Sequence, residues 1–509
     1  MTSAKYSSNK KKSKIERVER RVKKDYEVII IGSGFGGQLA AMNLVKKGID
    51  DFLMLERREF MGGTWSQNVY PGAAVDVPST LYSLAAEPYD WTQMYAEQNE
   101  LNQYTDYIIN KHKLKEKTAT NANVIKIAWD ESKQHWCVAI EGGRAYHAQF
   151  IVNASGPLST PVIPDFTGRD TFKGKSFHSN NWDSTYDYKD KRVAIIGSGA
   201  SAAQIIPAIA DDVAHLNVFQ RTPHWVIPRN DYVFKKWQRA ILRKKWAYKA
   251  LRILIYWALE YRVIGFKYSQ GMLNFLGRRN AHKLIKKQIK DPETQKKVTP
   301  DFDFGCKRVI LSDTLYAAYC KDNVTLFDKN NGIKEITENG IVTQDGVEHD
   351  LDLIVYSTGY DATDGVISYP VVGRDGKTLA KAWEDYPRAY MGTCVPEFPN
   401  LFVVTGPNTG IGHTSALFLI ESQMRYIMAC ITQLKKRNHQ VIEVKEEAEQ
   451  KYTDHIHSEM AKTVWQNGGC NSWYKSKSGK VIAMFPGFSF TYRRWAKNFK
   501  PVDHVFDRK

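Results

Sequence analysis

The apolar positions of this chain fall into two kinds of run. Tyr26-Glu-Val-Ile-Ile-Ile31 is a continuous β-branched stretch, the pattern of a strand buried on both faces of a parallel sheet. A glycine-rich turn, Gly32 to Gly37, follows it. Leu39, Ala40, Met42, Leu44 and Val45 then recur at helical spacing, and Asp51 to Glu56 reads as a second strand ending in an acid. The same order returns later. Arg192-Val-Ala-Ile-Ile196 predicts a strand, Gly197 to Ala202 a turn, Gln204 to Ala210 a helix and Leu216 to Gln220 the next strand. Two more apolar strands, Phe150 to Gly156 and Leu353 to Gly359, end in small-residue turns where the chain would leave and re-enter the first unit. The pattern predicts an α/β fold with two Rossmann-like dinucleotide-binding domains, the second inserted in the first, plus a helical sub-insert. The expected boundaries are a tail over 1–24, the first domain over 25–158 and 357–509, the second over 159–228 and 301–356, and the helical insert over 229–300.

The turns carry the first chemistry. In Gly32-Ser-Gly34-Phe35-Gly36-Gly37 the first glycine permits the tight turn, the second lets the backbone approach a pyrophosphate, and the third lets helix and strand pack closely. The pyrophosphate then meets free N–H groups and the positive end of the helix dipole. Glu56, placed 24 residues after Gly32, suits the ribose hydroxyls. In the second unit, Gly197-Ser198-Gly199-Ala200-Ser201-Ala202, alanine takes the third position and the following strand ends in Arg221-Thr222. An arginine there suits a 2′-phosphate and favours NADP over NAD. An acid-ended unit followed by an arginine-ended one predicts FAD plus NADPH. The stretch Val28 to Val45 is free of charge and long enough to suggest a membrane span, but its glycines and Ser33, Gln38 and Asn43 fit strand–turn–helix better.

Length and charge refine this. The chain has 509 residues, enough for about three domains. Its formal net charge is +17. Residues 1–24 hold seven Lys and three Arg against two Glu, and 235–290 hold sixteen Lys or Arg against Glu260 alone. With +8 and +15 in those segments, the rest stands at −6, an acidic body with a basic tail and a basic insert. That distribution argues against a basic nucleic-acid-binding fold. Residues 1–24 lack an apolar h-region, which argues against a secretory signal. Six scattered cysteines, none in Cys-x-x-Cys, point to a reduced, cytoplasmic protein and leave no dithiol for disulfide-reductase chemistry and no metal site.

Three fixed-spacing patterns then identify a family resemblance. Phe172-Lys-Gly174-Lys-Ser-Phe-His178-Ser-Asn-Asn-Trp182-Asp183 precedes the second glycine turn. Gly62-Gly63-Thr64-Trp65 leads through Tyr70-Pro-Gly72 to Asp76, and Lys307-Arg308 stands before Asp322 to Asp328. With Pro399 to Phe402 and Gly406-Pro-Asn408, the patterns cover nearly all of 25–495 and resemble the Baeyer–Villiger monooxygenases, within the class B flavin monooxygenases. The resemblance implies that NADPH reduces FAD, that reduced flavin binds O2 at C4a, and that the anionic peroxyflavin attacks a ketone, which rearranges to an ester or lactone. An anionic peroxide and a developing oxyanion both need a fixed cation, which a guanidinium supplies. By resemblance Arg308 is the catalytic arginine, Asp76 the carboxylate that holds it and tunes the flavin, and Lys307 a contact to the 2′-phosphate. His178 links the two domains rather than acting as general base. Trp65 shields the flavin, Tyr82 and Val124 contact FAD, and Trp473 contacts the nicotinamide nucleotide. Trp182 separates ketone oxidation from the N- and S-oxidising branch.

Gly406 to Ser415 and Trp465 to Tyr474 depart from the cyclic-ketone members, and the first resembles flavin monooxygenases of broader, lipophilic range. His413 reads either as an active-site residue or as a satisfied loop residue. Two other functions stay open: oxygenation of nitrogen or sulfur in soft nucleophiles, and a membrane-surface protein with a vestigial flavin fold. The insert's cations and aromatics leave peripheral association with anionic lipid open. The substrates implied are O2 and a lipophilic ketone.

Overall fold

The computed structural model describes residues 24–362 and 366–507; the basic tail, apart from Lys24, lies outside them. The first βαβ unit forms as its periodicity requires: β1 (Asp25–Ile31), α1 (Phe35–Lys46) and β2 (Phe52–Leu55). A short helix α2 (Thr64–Gln67) and α3 (Gln98–Lys111) follow, then β3 (Thr118–Ala119), β4 (Val124–Asp130), β5 (His135–Ile140) and β6 (Ala145–Asn153). β6 changes partner along its length. Its first half pairs antiparallel with β5, and its last residues, Ile151 to Asn153, pair parallel with a strand from much later in the chain.

The chain then builds a separate five-stranded sheet. It uses β7 (Lys175–His178), β8 (Arg192–Ile196), α4 (Ala200–Ile209) and β9 (His215–Phe219). β10 (Val226–Ile227) pairs parallel with β11 (Ile310–Leu311), and between them rise the helices α5 (Lys236–Leu242), α6 (Lys245–Glu260), α7 (Gln270–Gln288) and α8 (Pro292–Val298). α9 (Leu315–Ala318), β12 (Val324–Phe327), the meander β13 (Ile333–Ile336), β14 (Gly340–Thr343) and β15 (Glu348–Asp350), and β16 (Leu353–Tyr356) complete the unit. The strand order is β12-β9-β8-β16-β7, all parallel.

After β16 the chain returns to the first sheet with β17 (Val371–Val372), α10 (Leu379–Ala382) and β18 (Leu401–Val403), the late partner of β6. α11 (Ala416–Arg437), β19 (Ile442–Val444), α12 (Glu446–Met460), α13 (Val464–Asn467), α14 (Ser489–Lys497) and β20 (His504–Phe506) close the fold. The first core packs α1 and α11 on one face of β1 and β6, through Val28, Leu44, Phe150 and Ile427. The second packs α4 against β8 and β9, through Val193, Ile206 and Val218. The architecture is therefore two dinucleotide-type α/β domains, one inserted in the other, with a helical sub-insert.

Candidate active site

The first turn is shaped for a close backbone ligand. Gly32 sits at φ +103°, and a Cβ there would lie 2.4 Å from the Ala154 carbonyl oxygen. A Cβ on Gly37 would lie 2.0 Å from the Gly32 oxygen, so α1 and β1 pack as closely as the third glycine allows. α1 starts at Gly34 without a side-chain cap and without an acid in its first turn. Its leading amides, from Phe35 and Gly36 onward, are the donors a phosphate needs. The Gly63–Thr64 turn leans against this loop, close to Gly34. Glu56 is buried at the end of β2, where it accepts from the Ser33 amide (3.1 Å) and hydroxyl (2.7 Å). The segment leading to Val124 runs beside it, through Glu56 N to Ala119 O and Ala122 N to Glu56 O.

The second turn repeats the design. α4 also begins uncapped, at Gly199, and the Ser198 hydroxyl closes the turn by donating to the Thr222 carbonyl (2.7 Å). Ala200 and Ser201 open the helix, and Ala202 is buried against the sheet. Arg221, at the end of β9, lies within electrostatic reach of Lys307. Burial, and then Arg221, lower the proton affinity of Lys307, with Asp301 opposing. Two cations within electrostatic reach of each other supply the charge that a bound phosphate would need. Both turns, Glu56 and the cation pair thus fit two bound dinucleotides, the second carrying an extra phosphate.

His224 was not singled out by sequence. Burial, then the Lys307 charge, push its pKa down to about 4. Its unfolded value is near 6.5. The unfolded chain therefore binds a proton between those values that the folded protein refuses, so folding stability falls as pH drops from 6.5 toward 4. A His224→Gln variant is expected to show a shallower loss of Tm over that interval, measured by thermal melts at matched ionic strength; an unchanged slope counts against a neutral buried imidazole.

Asp76 and Arg308 meet between the two turns. Arg308 Nε and Nη2 donate to the two Asp76 carboxylate oxygens at 2.6 Å each, a bidentate fork. Asp76 raises the guanidinium's proton affinity above the ordinary arginine range, against the effect of burial. The pair stays accessible, with 40% of the Arg308 side chain and 30% of the Asp76 side chain exposed. Asp76 precedes α3, and Arg308 stands just before β11, 232 residues later in the chain. The loop bearing Asp76 is clamped to α4: the Tyr70 hydroxyl donates to Gln204 Oε1 (3.2 Å), and Gln204 Nε2 donates to the Ala74 carbonyl (2.9 Å). Gly72, at φ +77°, lies so near Gln204 that a Cβ would stand 2.5 Å from its carbonyl oxygen.

Aromatic rings lie within electrostatic reach of this pair. Trp65 Nε1 donates to the Tyr82 hydroxyl (3.1 Å), and Tyr82 also packs on Phe35 of the first turn. Burial raises the Tyr82 proton affinity, with Asp76 and Arg308 both in reach. Tyr474 senses the same two charges, and its pKa is pushed up to about 12, mainly by burial. Trp473 is 41% exposed and leans edge-on against Tyr474. A disulfide joins Cys306, two residues before Arg308, to Cys470 in the same loop as Tyr474. This corrects the expectation of wholly reduced cysteines. The two lie 164 residues apart, and only the packing of Trp465, Met484 and Val481 around Cys306 brings them together.

The Phe172–Trp182 pattern forms a structural corner. A Cβ on Gly174 would strike the Phe172 ring at 2.4 Å, and Trp182 packs on Phe177 and Tyr188 in the second core. His178 is buried at the end of β7, and its Nδ1 accepts from the Asn180 amide (3.0 Å). Burial lowers its proton affinity, against a backbone hydrogen bond at Gly359. The next residues reach across the domain boundary: Gln67 Nε2 donates to the Asn180 carbonyl, and the Tyr360 hydroxyl donates to Asn180 Oδ1 (3.2 Å). His413 is buried with its Nε2 3.3 Å from a Glu260 carboxylate oxygen. Sequence reasoning missed Tyr474, Gln204 and His224 as site residues, because only tertiary packing delivers them.

Two dinucleotide turns flanking one arginine–carboxylate pair define a two-domain pyridine-nucleotide oxidoreductase. Residues 29–256 match the pyridine nucleotide-disulphide oxidoreductase family. That stretch holds one cysteine, Cys137, so the match concerns the nucleotide-binding scaffold and not dithiol chemistry. A Baeyer–Villiger monooxygenase of Pseudomonas aeruginosa is 41% identical over 476 residues, covering 93% of this chain and 90% of its own. The crystal structure of OTEMO with FAD and NADP superposes with a TM-score of 0.85 at 27% identity, covering 94% of this chain and 99% of that one. Cyclohexanone monooxygenase from Rhodococcus sp. Phi1, bound to NADP+, gives 0.85 at 27% identity over 95% and 99%. The chain belongs to the Baeyer–Villiger monooxygenase family.

Proposed function

We propose that this enzyme uses FAD and NADPH to insert one oxygen atom of O2 beside a ketone carbonyl, with Arg308 and Asp76 at the reacting centre. The ketone, O2, NADPH and a proton give the ester or lactone, NADP+ and water. One observation carries the reading: Arg308 and Asp76, 232 residues apart in the chain, form a bidentate arginine–carboxylate pair within electrostatic reach of Tyr82 and Tyr474.

The first turn, Glu56, Gly63, Thr64 and Trp65 hold FAD, with Tyr82 and Val124 beside it. The second turn, Arg221, Thr222 and Lys307 hold NADPH, and Trp473 borders the nicotinamide side. Bound flavin, reduced by NADPH, supplies the activated oxygen. The protein's own contribution is electrostatic. Arg308 presents a permanent charge and several N–H donors where negative charge builds on oxygen, and it needs no reorganisation to do so. Asp76 fixes its direction through the fork. His178 couples the domains through Asn180. A panel of ketones and sulfides with products identified tests the reading, since NADPH loss alone also reports wasted peroxide formation. Esters from ketones support it. Sulfoxides alone, with every ketone returned unchanged, would establish soft-nucleophile oxygenation instead.

The cation pair gives a further expected result. Each charge-assisted bond to a phosphate is worth about 1.5–3 kcal/mol. Lys307→Ala combined with Arg221→Ala should therefore raise KM for NADPH at least about 100-fold and leave KM for NADH nearly unchanged. An equal rise for both cofactors would remove the 2′-phosphate role. The helical insert places the enzyme at an anionic membrane surface.

A further inference from the structure

The insert spends much of its apolar surface on solvent. Of the large hydrophobic side chains exposed among the described residues, twelve of twenty-six fall between Trp237 and Leu276. They are ordered, not scattered. On α6, Trp246, Ile253, Leu254 and Trp257 follow helical spacing along one face, with exposures of 72%, 47%, 67% and 44%. On the opposite face Tyr248 and Leu259 are buried against the body. α7 continues the outward stripe with Phe275, 64% exposed. A helix that is apolar toward solvent as well as toward the core has an unpartnered side.

The charges around the stripe name its partner. Glu260, the sole acid of 235–290, is fully buried, where it accepts from the Ser489 amide and hydroxyl. Every exposed charge on the segment is therefore positive. Some cations are used internally: Arg239 and Arg243 pair with Asp90, and Lys267 pairs with Glu459. Lys235, Lys236, Lys244, Lys245 and Lys249 remain exposed around the N-terminal half of the stripe. Tryptophans among lysines on an exposed apolar face are the chemistry of a helix lying in the headgroup layer of an anionic bilayer. No helix among the described residues is long and apolar enough to cross a membrane, so the contact is peripheral. Just past α6, Arg262 is within electrostatic reach of Tyr95, which also senses Asp76.

We propose that the outward faces of α6 and α7 form a docking surface for an anionic lipid bilayer. This inference is independent of the oxygenation chemistry. A second copy of the chain is a poor occupant, since pairing this face with itself would oppose two sets of lysines. The test is co-sedimentation of the full chain with phosphatidylcholine vesicles, with and without phosphatidylglycerol, across a salt series. Binding should need phosphatidylglycerol and weaken at least tenfold between low and high salt. Leu254→Glu with Phe275→Glu should lower binding to anionic vesicles at least tenfold at low salt, while far-UV circular dichroism and the melting temperature stay unchanged. Both side chains point to solvent, so the fold does not depend on them. If the variant fails to fold, Lys244→Glu with Lys245→Glu supplies the same test through charge alone. Equal binding to neutral vesicles, no binding to any, or unaltered binding by both variants would overturn the proposal. So would retention on a single-stranded oligonucleotide without vesicle binding, or self-association abolished by the Glu substitutions with vesicle binding absent.

Discussion

Arg308→Ala is expected to cut ester formation by roughly 10³-fold while NADPH still reduces the bound flavin. The two steps separate because they use different parts of the protein. Hydride transfer needs the nucleotide turns and the phosphate cations, all of which the substitution leaves in place. Oxygen insertion needs a fixed positive charge where negative charge builds on oxygen, and in the proposed function Arg308, oriented by its bidentate fork to Asp76, is that cation. Stopped-flow absorbance reads flavin reduction, and product analysis reads the ester. Oxygen consumed by the variant should appear as hydrogen peroxide. Arg308→Lys should lie between the two, since it keeps the charge but loses the planar fork. Ester yield unchanged in Arg308→Ala would remove the residue from the reacting centre.

Asp76→Asn should lower ester formation about 100-fold, less than loss of the arginine itself. The amide has the carboxylate's shape, so the loop's clamp on α4 through Gln204 and Ala74 survives. One side of the fork does not, because the amide NH2 cannot accept from a guanidinium. Arg308 then keeps its charge and loses its fixed direction. The expected result is poor coupling: flavin reduction and oxygen uptake near normal, with a larger share of oxygen lost as peroxide. The melting temperature should change little, since exposed ion pairs contribute little to stability and this one is partly open to water. A fall in flavin reduction matching the fall in ester would show instead that Asp76 serves cofactor binding.

Both nucleotide units were legible because their determinants are local. A β-branched run, glycines at fixed offsets and a terminal acid or arginine lie within thirty-odd residues of one another, and backbone sterics then dictate the turn. The insertion of one domain in the other was legible from the strands that end in Gly156 and Gly359. The pairing of Asp76 with Arg308 was not readable from periodicity, since 232 residues separate them; family resemblance carried it. Tyr474, Gln204 and the Cys306–Cys470 bridge lie beyond sequence for the same reason, each fixed by packing between distant segments. The basic insert was legible as charge and aromatics, but its sidedness needed the fold: the sequence does not say that Glu260 is buried while Trp246 and Leu254 face solvent.

Oxygen insertion beside a carbonyl leaves an isotopic mark in the product. A lipophilic ketone turned over with NADPH under oxygen-18 gas tests it most directly, with the product's mass and fragmentation recorded. The expected product is an ester or lactone carrying one heavy oxygen, placed in the newly formed C–O–C link and absent when the label is in water alone. Ketone recovered unchanged while NADPH and oxygen are consumed, or a product whose new oxygen comes from water, would contradict it.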